Sequence, residues 1–191
     1  ISIIAVMIFL SVFHIDYESY NVSARYLSYL LTPATVCLAV PLYQQLSLLK
    51  KHARAILAGT VTGVLTTMAT VLVLALLFQL THEQYVTFLP KSITTAIGMG
   101  VSEEMGGIVT ITVACIIITG IIGNIIAETV CRLFHITEPV AKGIAIGSAS
   151  HAIGTTKAME MGEIEGAMSS LAIAVSGLCT VLFASVFANF I

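Results

Sequence analysis

The sequence predicts an all-α polytopic membrane protein, and three observations carry that prediction. Of its 191 residues, 58% are hydrophobic and 9% charged, whereas a soluble domain carries about a quarter charged residues. Mean hydropathy is +1.03. The charges are bunched, leaving uncharged runs at 55–80, 105–127 and 166–191, each long enough to cross a hydrocarbon layer of roughly 30 Å as a helix. Two further stretches, 91–107 (KSITTAIGMGVSEEMGG) and 143–158 (GIAIGSASHAIGTTKA), are rich in Gly, Ser and Thr and too short to cross as full helices. Each directly precedes a long apolar run. The expected architecture is a set of transmembrane helices plus two re-entrant or discontinuous helical segments in an inverted repeat, with 1–191 forming a single membrane-embedded domain in a multi-pass topology.

The same composition excludes other classes. Eight Lys and Arg against ten Asp and Glu give a net charge of −2 with no basic tract, so nucleic acid is not the expected partner. Cys37, Cys115, Cys131 and Cys179 stand apart without metal-ligand spacing, and no metal site is expected. HExxH, GxSxG and paired intramembrane aspartates are absent from the sequence, which argues against an intramembrane enzyme.

Taken in order, residues 1–13 are apolar, lack a basic start and an initiator Met, and read as the end of a helix whose beginning is missing, not as a signal peptide. Residues 26–49 are uncharged but interrupted by Pro33 and Pro41, which predicts a fourth span, broken or kinked. Lys50, Lys51 and Arg54 form a basic connection without an acid, placed in the cytoplasm by the positive-inside rule; span 55–80 then runs outward. If 91–107 is a re-entrant hairpin, the next span returns and places Arg132 and Lys142 in the cytoplasm. A full crossing would turn both outward, so the re-entrant reading is preferred. Thr94, Thr95 and Glu104 match Thr155, Thr156 and Glu165 at one constant offset, an echo of the expected repeat. The tips of the two segments are expected to meet in the membrane interior, with the backbones near Thr94 and Gly154 close together.

Three runs resemble the CidB/LrgB family of bacterial inner-membrane proteins: LLTPATVCLAVPLYQQL (30–46), LPKSITTAIGMGVSEEMGGI (89–108) and KGIAIGSASHAIGTTKAMEMGEIEGAMSSLAIA (142–174). The family includes the plant chloroplast glycolate/glycerate transporter, and its bacterial members have been called holin-like or antiholin-like and tied to murein hydrolase activity and to pyruvate movement. The resemblance therefore implies a bacterial cytoplasmic (inner) membrane, transport of small monocarboxylates by alternating access and, as the rival reading, a holin-like pore or regulator of autolysis acting with a small holin-like companion membrane protein. A homo-oligomer is expected in the lipid bilayer. Two departures are visible: Ala96 follows the Thr-Thr pair where many members have proline, and Glu103-Glu104 stand where many are small and neutral.

A small anion at the midplane needs donors and positive potential, which half-helix N-termini and hydroxyls supply. The candidate binding residues are Ser92, Thr94 and Thr95; His151, Gly154, Thr155 and Lys157; and Thr32, Pro33 and Thr35. Each has a packing alternative. Small hydroxyl residues let helices approach, a lone imidazole can donate to a carbonyl, a lysine can snorkel and a proline can merely kink. Glu128 and Arg132 are expected to pair as helix neighbours four apart, and Glu160, Glu163 and Glu165 to form a solvated connection. No cofactor is expected beyond a coupling proton, carried by His151 or a carboxylate, or a sodium ion.

Overall fold

The computed structural model describes residues 2–29, 43 and 46–191, all helical or in turns. Most of the kinked span expected at 26–49, including Thr32, Pro33 and Thr35, lies outside them. The chain divides into two compact units, Ile1–Val40 and Pro41–Ile191. In the first, α1 (Ser2–Val12) and α2 (Tyr17–Ser28) are separated by a turn in which His14 takes a left-handed φ of 49°. The Asp16 carboxylate receives the Glu18 amide at the start of α2.

The second unit begins with α3 (Leu46–Leu77). The basic connection expected at 50–54 is part of this helix, because no proline follows Pro41 until the helix is complete and Lys, Arg, Ala and Leu are strong helix formers. Its cations ride on the first turns of the span. After α4 (His82–Phe88), capped by reciprocal Thr81 and Gln84 bonds, come α5 (Thr95–Glu104), α6 (Val109–Leu133), α7 (Pro139–Met161) and α8 (Glu163–Phe187), with a final 3-10 turn at Ala188–Phe190. Among the described residues, three helices are long and apolar enough to cross a membrane: Lys50–Leu77, Val109–Leu133 and Glu163–Phe190. The protein is a helical membrane protein.

Two ends of the second unit can be told apart. Tyr85 donates to the Phe187 carbonyl, so the start of α4 and the end of α8 share the Leu77 end. There Met68, Val71, Ala75, Tyr85, Leu89 and Cys179 make the main apolar core. At the opposite end, Arg132, Lys142 and Lys157 line one depression with Glu128 and Glu160, and His52 of α3 borders Glu138 and Pro139. Six of the eight cations, Lys50, Lys51, Arg54, Arg132, Lys142 and Lys157, are therefore gathered at this second end.

Candidate functional site

Two hairpins fill the space between the spans. The first is rooted in Thr87: its hydroxyl receives the Ile108 amide at 2.8 Å, while its carbonyl receives the Thr112 hydroxyl at 2.9 Å. Thr112 has thus committed its proton, so Ser102, 2.7 Å away, is the donor in their mutual bond. Residues 88–107 consequently leave and rejoin the bundle at the Leu77 end. The return is shaped by Gly106, whose φ of 77° lets the Gly106 and Gly107 amides reach back to the Glu103 and Ser102 carbonyls and close α5. The other end of α5 is open: Thr94 is its N-cap with extended backbone and makes no side-chain cap bond, which leaves the first amides of α5 as donors.

The second hairpin is α7 itself. It is broken at His151, which sits at φ 42°, ψ −141°. Both ends of α7 reach the Arg132 end, since Thr137 and Lys142 share a depression with Lys157 and Met161. The halves fold against each other, with Ile146 and Ala158 in one cluster and Gly154 seated on Ser150 and Ile146. The left-handed backbone of a non-glycine residue costs about 1–2 kcal/mol, and surrounding bonds hold it in place. His151 Nε2 lies 2.9 Å from the Ile116 carbonyl, which fixes Nε2 as a donor. Asn124 donates to the Ile153 carbonyl at 2.8 Å, and Thr155 exchanges a 2.7 Å bond with Ser169 of α8. Gly120 makes room for the imidazole, because a Cβ there would stand 2.7 Å from Cε1.

The hairpins enter from opposite ends and approach each other at mid-bundle. Ser92 and Ile93 of the first and Ser148 of the second line one cavity of about 10 Å³ with Thr67 of α3 and Thr180 of α8, room for roughly one water-sized group. Below it, a groove of about 900 Å³ runs between α3 and the first half of α7, from His52 and Glu138 to Thr67 and Ser148. Thr67 and Ser148 border both spaces. On its Leu77 side stand the apolar residues Met68 and Leu89. Among the described residues, the groove extends from the cavity toward the cation-rich end.

Among the candidate residues, Ser92 is buried at the cavity, and half-buried Thr94 and Thr95 follow it at the start of α5. His151 and Gly154 form the second tip. Thr155 is turned into the α7–α8 contact. Lys157 is far from the tips: its ammonium lies 3.1 Å from Glu160 and 3.6 Å from Glu128, so its charge is already met by carboxylates. Glu128 pairs with Arg132 as their spacing requires. The acidic connection is only partly solvated, since Glu165 is buried in the first turn of α8. The echo between Thr94, Thr95, Glu104 and Thr155, Thr156, Glu165 falls on unlike places, for Glu104 ends α5 whereas Glu165 lies past the Gly162 break at the start of another helix. Five site residues escaped the sequence reading: Thr67, Lys91, Asn124, Ser148 and Thr180. An amide inside an otherwise apolar run marked Asn124; nothing local distinguished Thr180 from other small residues of its span.

Long apolar spans with shorter, polar and interrupted helices packed between them define a class of polytopic helical membrane protein. Within that class the chain belongs to the LrgB-like family, whose model matches residues 1–190. It is 37% identical over 185 residues to the antiholin-like protein LrgB of Bacillus mycoides (strain KBAB4), covering 97% of this chain and 80% of that one. The antiholin-like proteins LrgB of Bacillus cereus (strain B4264) and Bacillus anthracis (strain CDC 684 / NRRL 3495) match with the same identity and coverage. No solved structure matches the chain.

Proposed function

We propose that the chain carries small monocarboxylates of the glycolate, glycerate or pyruvate kind across a bacterial inner membrane by alternating access, both hairpins being re-entrant. The reading is supported by the cavity that Ser92 of the first segment and Ser148 of the second line together with Thr67 and Thr180. Hydroxyl donors and two helix starts at mid-membrane suit an anion, and a groove reaching them from one side suits one of two access states. The positive-inside rule sets the cation-rich end, and so the open groove, in the cytoplasm. A coupling proton on His151 or a buried carboxylate such as Glu165, or a sodium ion, belongs to the same reading.

The second reading, a holin-like pore or regulator of autolysis working in a homo-oligomer or with a small companion membrane protein, is favoured by the relatives' description as antiholin-like. A proteoliposome experiment separates the two. Transport predicts saturable uptake of labelled glycolate or pyruvate without release of an uncharged dye of similar size. Release of the dye at a comparable rate would replace transport by the pore.

A further inference from the structure

The cavity at the tips has a polarity that selects its ligand. Ser92 accepts a hydrogen bond from Lys91 Nζ at 3.3 Å, which frees its own proton for a ligand. The Thr180 hydroxyl, on a residue only 3% exposed, lines the cavity and has no hydrogen-bond partner among the described residues. One turn earlier on α8, the buried Ser176 hydroxyl is also without a partner among the described residues. Ser148 spends its proton on the Ile144 carbonyl. Two donors thus meet beside the uncapped start of α5.

The charge nearby is equally distinctive. Lys91 is half-buried, and no carboxylate lies within ion-pair distance of it among the described residues, whereas Arg132 and Lys157 are both paired. The next acids on its hairpin, Glu103 and Glu104, stand at the other end of α5, about 15 Å away along a helix of that length. An ammonium one hydroxyl removed from the cavity repels a cation and leaves a positive charge to be balanced.

Resting on the transport reading, we infer that Lys91, acting with Ser92 and Thr180, is the positive charge that receives the substrate's carboxylate, a role Lys157 does not fill. The cavity takes one oxygen; the rest of the substrate extends past Ser148 into the groove.

The full chain in lipid nanodiscs, probed with radiolabelled glycolate, tests this. Lys91→Gln should weaken binding at least tenfold, Lys91→Arg by less than about threefold and Thr180→Val severalfold, while Lys157→Gln binds as wild type. Competition by glycolamide, the neutral isostere, should be equally weak against wild type and Lys91→Gln. On the wild-type chain alone, glycolate but not glycolamide should slow modification of Lys91 by an amine-reactive reagent, read by mass spectrometry. Folded Lys91→Gln with wild-type affinity, or unprotected Lys91 despite saturable binding, would overturn the assignment and leave transport standing. Absence of saturable binding of glycolate and pyruvate by wild type would remove both.

Discussion

The two hairpins are built from the same small residues but are held in different ways. The second is fastened at its tip: His151 to α6, Asn124 of α6 to Ile153, and Thr155 to Ser169 of α8. The first is fastened at its root, through Thr87, Ser102, Ile108 and Thr112, and its tip residue Thr94 makes no cap bond. A segment tied at its tip moves only with its scaffold, whereas one tied at its root can swing or slide at the free end. Under the proposed transport reading, the difference would make the second hairpin the frame and the first the moving part.

The sharpest way to break that comparison is to disturb close backbone approach in the frame. At Gly147 an added Cβ would run into the Ser169 carbonyl oxygen, with Ser169 Cα at 2.8 Å and the Ala172 Cβ at 2.9 Å. Backbone atoms of α8 cannot rotate aside, so Gly147→Ala should cost about 3 kcal/mol and lower the unfolding temperature in detergent by roughly 6–12 °C. His151 comes next. His151→Ala loses the bond to the Ile116 carbonyl at a cost of about 1–2 kcal/mol and keeps the β-carbon at φ 42° that the wild type already carries. His151→Gly loses the same bond but tolerates the backbone, and should unfold later than His151→Ala. The reverse order would mean that the break at 151 is not a strained one.

The root of the first hairpin gives a smaller, local effect. Thr87→Val keeps shape and β-branching, but it deletes the acceptor of the Ile108 amide and the donor to the Glu83 carbonyl. About 1.5 kcal/mol should be lost. Hydrogen exchange should then quicken in 95–108 while 152–161 remains protected. Equal acceleration in both hairpins would show them to open as one unit.

What was legible follows the cost of placing charge in hydrocarbon. The uncharged runs located α3, α6 and α8 because a buried charge is excluded from a span without a partner or a purpose. Density of Gly, Ser and Thr marked the segments that hold α5 and the interrupted helix α7. The ends were less readable: α3 and α6 stop in turns where Gln79 and His135, not glycine, take the left-handed conformation, so no stop signal stood in the sequence. Pairing was hidden as well. Lys157 follows a hydroxyl-rich stretch and Lys91 precedes one, and only tertiary contacts reveal that Glu128 and Glu160 neutralise the first while the second meets a serine. The buried side chain of Glu165 is set by a tight approach at Gly162, which no local pattern announces.

The smallest expected effect has the opposite sign and tests the mobile hairpin directly. Gly100 lies inside α5, and a Cβ added there meets nothing within 4 Å, so alanine adds no clash. Glycine within a helix costs about 0.5–1 kcal/mol relative to alanine, mostly through the freedom it retains when unfolded. Gly100→Ala should therefore raise the unfolding temperature slightly, by about 1–3 °C, where Gly147→Ala lowers it. If α5 must flex as the cavity opens, the same substitution should slow uptake while leaving equilibrium binding of glycolate unchanged, since Gly100 lies more than a turn from Thr94 at the free end. A destabilised Gly100→Ala chain would instead mean that this face of α5 is packed against another body in the membrane, and the first hairpin would then belong to the frame as the second does.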